Sequence, residues 1–532
     1  MSTSETCLVR RPALHAASVL GWLVGIAAVS AACDTPCEDT LTCDVGGNQG
    51  GASSTTGTGD GGGGTGGVGG GSLGQACTDG GTCASGNCID GVCCDAACSG
   101  QCETCGEDGL CVAIAAGDAD PDIALCSGVC DGVRGCSTLA HRFSRDFRTT
   151  GGPSVLPSGV AVDQEGSPFV SGAVSGGALQ LGGQPLGTAF IAKFSSSGSL
   201  GWVEAWEGGA GPVALDAAGN AYVAGSVADG DQLPGCTTAG GALVKYASLG
   251  TVEYCRNVAV QADPLAALAD GRVAVVTNQT STEVTVRAFD INGLVSGQTT
   301  LSSTLELEVT SITALPTSFV VGGVFRGTAD MAGSQLNGTG QSGFVVSLNA
   351  DLSVNWAKSF GSDVEHVQLS GRSNRVGVGA SFEGGADLGS GEILSSGRDL
   401  LVARLDGDGT AEWAVRVNAG EQGAASAVEP TAVAIDGAGN VAVAGKFIAS
   451  LELGGLTGGT QDPALFLGKL SAVDGTVLTG RSWPQGEHNV GSLDSASDGA
   501  VWFLGDGNGF IDFGGGDIEV LTDTCFLAGF EP

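Results

Sequence analysis

A fifteen-residue segment occurs twice in the chain, with 220 residues between the two starting points. Residues 212–226 read PVALDAAGNAYVAGS, and residues 432–446 read AVAIDGAGNVAVAGK. In both copies apolar and polar residues alternate on either side of an Asp-x-x-Gly-Asn segment, whose Gly and Asn supply the positive φ angles that a tight turn needs. The segment therefore predicts a β-hairpin.

Imperfect copies of this hairpin run through the rest of the chain. The residue after the second strand marks each copy, and the average spacing of about 55 residues indicates an array of similar units. The markers are Gly172, Gly225, Thr277, Gly322, Gly379, Gly445 and Gly505. The hairpin thus occurs seven times.

Each copy is followed by two more strand-like segments. The third segment is apolar, as in FIAKF (190–194), LVARL (401–405) and FLGKL (466–470). In most copies the fourth has bulky residues four apart, such as Trp202 and Trp206. Residues at this spacing share one face of a strand and mark a packing surface. The pattern predicts an all-β fold, a seven-bladed β-propeller of four-stranded blades over residues 137–532.

The last repeat has no fourth segment after its third, because FLAGF (526–530) is followed only by Glu531 and Pro532. A blade with an unpaired edge strand would tend to associate with other chains. Residues 141–147, HRFSRDF, carry Phe143 and Phe147 at the four-residue spacing of the other fourth segments. We therefore expect residues 140–148 to form the outer strand of the final blade and to close the ring.

Three copies of the hairpin support a family resemblance. The segments GVAVDQEGSPFVSG, PVALDAAGNAYVAG and AVAIDGAGNVAVAG resemble the bacterial seven-bladed β-propeller repeat family (SBBP type) of secreted and surface proteins. The resemblance extends over the region from residue 140 to the end of the sequence and implies the fold. It implies no particular activity, because propellers support binding, scaffolding and several chemistries.

The N-terminal residues 1–32 have the features of a secretory signal. Arg10 and Arg11 precede an apolar run, and small residues precede Cys33. Cys33 resembles the lipid-modified cysteine of a bacterial lipobox, although Ser30 stands where that pattern prefers an apolar residue; the alternative is ordinary signal cleavage, with Cys33 paired elsewhere. Residues 33–76 form a Gly/Ser/Thr-rich tether. We expect an exported outer-membrane or cell-surface lipoprotein, or otherwise a periplasmic or secreted protein.

Residues 77–136 contain twelve of the nineteen cysteines: Cys77, Cys83, Cys88, Cys93, Cys94, Cys98, Cys102, Cys105, Cys111, Cys126, Cys130 and Cys136. An even number of cysteines in a short exported segment predicts a disulfide scaffold. The spacing of Cys102 and Cys105 also suits zinc, but export favours disulfides. The segment resembles a cysteine-rich region of predicted bacterial surface lipoproteins, which implies display. Cys236 and Cys255 are expected to form a further bridge.

The charge balance excludes one class of partner. The chain has 57 acidic and 21 basic residues, a net charge of −36. Nucleic-acid binding depends on Lys and Arg neutralising phosphates, so we expect no nucleic-acid partner and a soluble, monomeric domain.

A short acidic motif recurs after the second strand of several repeats. It places Asp330, Asp387, Glu452 and Asp512 at equivalent positions of four repeats. A ring of carboxylates could hold calcium or a basic ligand, whereas the alternative is that these are solvated residues of outer turns. No other cofactor is expected. Of the histidines, His141 and His488 are the pair that ring closure could bring together, although each of His141, His366 and His488 is expected to be isolated and exposed.

Two functions remain open from the sequence. The first, which we favour, is a surface-anchored, non-enzymatic binding or scaffold protein, held to the membrane by a lipid, with an unknown protein or glycan ligand. The second is a secreted propeller-type hydrolase or lyase acting on polysaccharide, which would need two carboxylates from different blades on the axial face.

Overall fold

The computed structural model describes residues 70–532 except for the segments 101, 116–117, 122–125, 127, 131–135, 148–153, 176–179, 182–183, 186, 230–232, 237–238, 259–262, 420–427, 455, 458–462 and 484–486. The predicted signal sequence, Cys33 and most of the predicted tether lie outside these residues. In the described part of the chain, no helical segment has the length and apolarity that a bilayer crossing requires.

A small module precedes the large β-domain. Its elements are a 3-10 helix at Gly80–Thr82 and the strands β1 (Asn87–Ile89), β2 (Val92–Cys94), β3 (Glu103–Cys105), β4 (Cys111–Ala113), β5 (Val129–Cys130) and β6 (Cys136–Ser137). These strands pair as three short antiparallel hairpins.

Six disulfides pair all twelve cysteines of the module. They are Cys77–Cys88, Cys83–Cys93, Cys94–Cys105, Cys98–Cys111, Cys102–Cys130 and Cys126–Cys136. Cys102 and Cys105, whose spacing also suits zinc, therefore belong to different disulfides. Cysteine side chains supply most of the buried apolar surface, so the cross-links replace the core that so short a segment cannot build.

The large domain consists almost entirely of antiparallel strands. In chain order they are β7 (His141–Asp146), β8 (Ser154–Val162), β9 (Pro168–Ser175), β10 (Gln180–Leu181), β11 (Gln184–Pro185), β12 (Ala189–Phe194), β13 (Leu200–Trp206), β14 (Gly208–Leu215), β15 (Ala221–Val227), β16 (Gly240–Tyr246), β17 (Val252–Asn257), β18 (Asp263–Ala267), β19 (Val273–Thr277), β20 (Glu283–Phe289), β21 (Val295–Ser303), β22 (Glu306–Ala314), β23 (Ser318–Met331), β24 (Ser334–Asn349), β25 (Val354–Phe360), β26 (Asp363–Arg372), β27 (Arg375–Ala386), β28 (Ile393–Asp406), β29 (Ala411–Val417), β30 (Val428–Ile435), β31 (Val441–Phe447), β32 (Ser450–Leu451), β33 (Leu456–Thr457), β34 (Ala464–Leu470), β35 (Val477–Trp483), β36 (Glu487–Ser495), β37 (Val501–Asp512) and β38 (Asp517–Phe530).

The antiparallel pairings sort the long strands of the described residues into seven groups of four, which we number 1 to 7. The groups are β8-β9-β12-β13, β14-β15-β16-β17, β18-β19-β20-β21, β22-β23-β24-β25, β26-β27-β28-β29, β30-β31-β34-β35 and β36-β37-β38-β7. Groups 3, 4 and 5 are joined further into one twelve-stranded sheet by the pairs β21–β23 and β24–β26.

The first strands of the groups form a closed ring. Each contacts the first strand of the next group, in the order β8, β14, β18, β22, β26, β30 and β36, and β36 contacts β8 again. Serine hydroxyls bond neighbouring first strands: the amide of Leu369 donates to Ser311 Oγ, and the amide of Ile435 donates to Ser370 Oγ, both at 3.1 Å. A ring of radially arranged four-stranded antiparallel sheets is a β-propeller.

The outer strand of group 7 comes from the N-terminal side of the domain. β7 pairs with β38, with Phe143 opposite Gly529 and Arg145 opposite Leu527. This is the segment that the four-residue aromatic spacing predicts. The two guanidinium nitrogens of Arg142, Nε and Nη2, donate to the carboxylate oxygens of Glu531, each at 2.9 Å.

One contact between groups is repeated around the ring. Five of the seven fourth strands carry an aromatic ring that lies against a glycine in the turn between the third and fourth strands of the next group. The pairs are Phe143 with Gly198, Trp202 with Gly250, Tyr254 with Gly293, Trp356 with Gly409, and Trp413 with Gly475. At Gly409 a Cβ would lie 2.7 Å from the Trp356 ring, and its φ of 80° is itself unfavourable for other residues. The indole of Trp356 also donates to the Gly407 carbonyl at 2.8 Å.

We expect Phe147→Ala, at the end of the closing strand, to lower the free energy of unfolding by about 3–5 kcal/mol, because Phe147 is buried between Phe190 and Phe194. Chemical denaturation is the measurement. Phe510→Ala, which removes a phenyl ring that is 56 % exposed, is the matched control and should change stability by less than about 0.5 kcal/mol. Equal effects of the two substitutions would contradict a closing role for this strand.

Candidate functional site

The four carboxylates of the acidic motif lie at the tips of hairpins between second and third strands. Asp387 Oδ1 accepts hydrogen bonds from the amides of Gly389 (2.6 Å) and Gly391 (3.1 Å). Asp512 makes the same two bonds to Gly514 and Gly516, and Asp330 bonds the amide of Gly333. These carboxylates therefore close the turns in which they lie.

The residue after each of these acids is buried, and it attaches the hairpin to the preceding group. We call the acid and its apolar neighbour the clasp; the buried residues are Met331, Leu388, Leu453 and Phe513. Met331 pairs with Leu301 of β21, and the Lys358 ammonium of β25 donates to the Leu388 carbonyl at 3.0 Å. Phe513 packs on Trp483 of β35, with ring centroids 5.2 Å apart.

The remaining member of the acidic motif, Glu452, is attached to the preceding group by a backbone hydrogen bond. The amide of Glu452 donates to the Asn418 carbonyl, at the end of the preceding group, at 2.8 Å. In group 2 the predicted Cys236–Cys255 disulfide ties the corresponding loop to β17. Among the described residues, sets of three or more potential metal ligands contain only cysteines, all of them disulfide-bonded.

We expect Asp512→Ala to lower the free energy of unfolding by about 1 kcal/mol, because two turn amides lose their acceptor. Asp512→Asn should have a smaller effect, since its side-chain oxygen still accepts. Thermal melts with calcium and with a chelator are the measurement, and neither addition should shift the midpoint. A calcium-dependent rise that the Asn variant loses would show instead that the acid is a metal ligand.

The histidines do not meet. His141 lies on β7 and His488 on β36, at opposite edges of group 7 with two strands between them. The expectation that His488 is exposed is wrong: it is 5 % exposed, its ring meets Phe526 edge-on at 6.2 Å, and burial lowers its pKa. His141 Nε2 lies 3.1 Å from Ser144 Oγ. Burial also lowers the pKa of His141, although the charge of Asp512 opposes the shift.

The two ends of the ring differ. At the end where the first strands finish, the Arg372 guanidinium of group 5 donates to the Ser495 carbonyl of group 7, and so bridges past group 6. Beside it, burial raises the pKa of Asp494, which accepts a 2.7 Å hydrogen bond from the Val162 amide. The opposite end, where the first strands begin and the clasp hairpins project, is called the hairpin face below.

Polar side chains gather on the hairpin face at groups 4 and 5. Arg326 pairs with Glu306 at 2.9 Å, and Arg398 pairs with Glu365 at 3.1 Å. Glu308, two residues beyond Glu306 on β22, forms no ion pair among the described residues. Burial raises its pKa, the charge of Glu306 adds to the shift, and the nearby His366 opposes it. A shifted carboxyl beside a histidine is a candidate functional group.

Farther out on the hairpin face, a groove of about 560 Å³ runs between groups 4 and 5. Its apolar lining is Phe360, Gly361, Gly385 and Ala386, and its polar lining is Asn337, Thr339, Ser342, Ser359, Ser362, Asp387 and Glu392. The walls are held together because Gln341 Nε2 donates to the Val364 carbonyl at 3.1 Å and Ser342 Oγ donates to the Gly361 carbonyl at 2.9 Å.

Several polar groups in this groove have no partner. The side chains of Thr339, Ser359, Ser362 and Glu392 make no hydrogen bond to other described residues. Of the residues singled out in the sequence, only Asp387 lines the groove. The sequence does not reveal the other lining residues, because they are common small polar residues without a motif, on three separate segments that the fold brings together.

Comparison with known proteins adds little to this description. No family model matches the chain, and no curated protein matches its sequence. Among solved structures it is similar to BamB from Moraxella catarrhalis, with 12% identity over 74% of this chain and 100% of that one and a TM-score of 0.37. It is also similar to quinohemoprotein alcohol dehydrogenase from Comamonas testosteroni, with 10% identity over 73% of this chain and 76% of that one and a TM-score of 0.34.

A luciferin-regenerating enzyme is a third similar structure, with 12% identity over 60% of this chain and 90% of that one and a TM-score of 0.31. The identities and scores are low, so the strand pairing of the chain itself defines its class. The chain is a β-propeller that carries a disulfide-bonded N-terminal module.

Proposed function

We propose that the chain is an exported, lipid-anchored and non-enzymatic binding or scaffold protein that displays its propeller at the cell surface. The observation that carries this proposal is the groove on the hairpin face, because it brings together hydroxyl and carboxylate groups that make no hydrogen bond to other described residues and are therefore available to a ligand. The ligand is a protein or a glycan, and the propeller acts as a monomer. The net charge of −36 supports a ligand other than nucleic acid, because binding of nucleic acid depends on basic residues that neutralise phosphates.

The disulfides support export. Seven bridges in the described residues require an oxidising environment, which places the folded chain in an extracellular or periplasmic compartment. The N-terminal residues supply a signal sequence, Cys33 supplies a site for lipid attachment, and the Gly-rich residues up to 76 supply reach from the membrane. The hairpin repeats resemble those of SBBP-type propellers, and the cysteine-rich segment resembles that of predicted bacterial surface lipoproteins.

Metabolic labelling with a fatty-acid analogue tests the anchor. We expect the wild-type chain to be labelled and to fractionate with membranes, and Cys33→Ser to lose both properties, because the lipid would be attached to the Cys33 sulfur. Cys37→Ser, four residues away, is the matched control and should keep the label. Protease treatment of intact cells should remove the wild-type propeller. Equal labelling of the Cys33 and Cys37 variants would refute the anchor.

The second candidate function is cleavage of polysaccharide, either by hydrolysis or by the elimination that a lyase catalyses. It is favoured by Glu308 alone, because a carboxyl with a raised pKa can keep the proton that a general acid donates to a leaving sugar oxygen. Glu365 and His366, on the neighbouring first strand, are the groups that would act with it.

Release of reducing ends from polysaccharides by the purified chain distinguishes the two candidates. We expect no release above that of Glu308→Gln. If Glu308 were a general acid, the rate would fall as the pH rises through its raised pKa, since the group would lose its proton, and Glu308→Gln would be inactive. Glu283→Gln, an exposed carboxylate on group 3, would then keep the wild-type rate. That combination of results would overturn the non-enzymatic proposal.

A further inference from the structure

We infer that the groove between groups 4 and 5 binds a neutral oligosaccharide; this rests on the proposed binding function and names the ligand class of the same site. The inference depends on which lining groups the fold leaves unpaired, on their chemistry, on their charge and on the shape of the groove.

The unpaired groups are mostly hydroxyls. Thr339 lies on β24, and Ser359 and Ser362 lie at the end of β25 and in the link to β26, so two separate segments present hydroxyls to one groove. A hydroxyl both donates and accepts hydrogen bonds, and it rotates to suit its partner. A pyranose ring carries several groups of the same dual kind, so one sugar can satisfy several lining hydroxyls in place of water.

The carboxylates add directional acceptors. Asp387 Oδ1 is occupied by two turn amides, which fix the orientation of its side chain, whereas Glu392 is exposed and unpaired. An ionised carboxylate accepts hydrogen bonds only, and those from hydroxyl groups are stronger than neutral ones. A ligand that brings hydroxyl donors therefore fits this wall of the groove.

Charge excludes the acidic polysaccharides. The two groove carboxylates would repel uronate or sulfate groups, and the net charge of −36 adds a long-range barrier to polyanions. Lys358 donates to the Leu388 carbonyl and is not among the residues that line the groove. The groove therefore has no free ammonium among its lining residues with which to hold an anion.

The shape suits a short segment of a chain. The volume of about 560 Å³ is in the range of small-ligand sites, and the groove is open to solvent along its length. Its apolar lining is small in area, because Phe360 and Ala386 are buried and the other two apolar residues, Gly361 and Gly385, have no side chain. An open groove with few apolar contacts predicts weak binding, with a dissociation constant between micromolar and millimolar.

Titration calorimetry on the purified full chain tests the inference with three probes: a hexasaccharide of β-linked glucose, one of N-acetylglucosamine, and one of galacturonate. We expect at least one neutral hexasaccharide to bind and the galacturonate not to bind. Binding of the galacturonate as tightly as the neutral probes, or binding of none of the three up to millimolar concentration, would overturn the inference.

Substitutions of groove residues test whether the oligosaccharide binds in the groove. Ser359→Ala combined with Ser362→Ala should weaken the neutral probe at least tenfold, and Glu392→Gln should weaken it several-fold. Thr251→Ala and Glu165→Gln remove a hydroxyl and a carboxylate that are exposed at the opposite end of the ring, and they should bind like the wild type. Equal affinity of groove and control variants would refute the site.

The outcome is independent of the anchor. The calorimetry uses purified protein in solution, so a failed Cys33 labelling would leave the glycan result unchanged. A failed glycan titration, in turn, would leave a displayed propeller with a protein ligand.

Discussion

The ring depends on the antiparallel pairing of β7 with β38, which joins residues up to 389 positions apart, such as His141 and Phe530. Closing so long a loop costs conformational entropy that grows with the logarithm of its length. The pairing offsets that cost with ladder hydrogen bonds, the Arg142–Glu531 ion pair and the burial of Phe147. Without it, β38 would have an unpaired edge, and the contact of Phe143 with Gly198 between groups 7 and 1 would be lost.

Closure of the ring also requires a contact between each group and the next. Most recurring polar residues serve such structural contacts and are therefore poor candidates for a binding site. Ser311 and Ser370 join neighbouring first strands, and Asp387 and Asp512 close the turns of clasps. These side chains recur because each group must attach to the next in the same way. A polar residue that recurs in this fold is therefore more often part of a structural contact than part of a binding site. Residues such as Ser362 and Glu392, which belong to no repeated contact, are better candidates for function.

The sequence predicts the repeated hairpins and the closing strand well. It predicts poorly the features that depend on contacts between groups, such as the groove. Alternation around Asp216 and Asp436 is a local property of a hairpin, and the spacing of Phe143 and Phe147 is enough to find the closing strand. The sequence shows the clasp as a motif, but it does not show that the clasp attaches each hairpin to the preceding group. That role depends on the burial of Leu388 or Phe513 against residues of the preceding group, which are distant in the sequence. His488 was expected to be exposed because a sequence does not show which face of a first strand meets the core. The groove could not be predicted, since it exists only where two hairpins of different groups meet.

Charge on the hairpin face decides what kind of ligand can bind there. Arg326 and Arg398 are engaged by Glu306 and Glu365, so the basic residues balance acids that the fold has already placed. Glu308 has no such partner, and burial beside Glu306 is what raises its pKa. The polar residues that line the groove carry hydroxyl, amide and carboxylate groups, and none of them is basic. The neutral oligosaccharide that we propose as the ligand would therefore contribute hydrogen-bond donors of its own and would carry no negative charge.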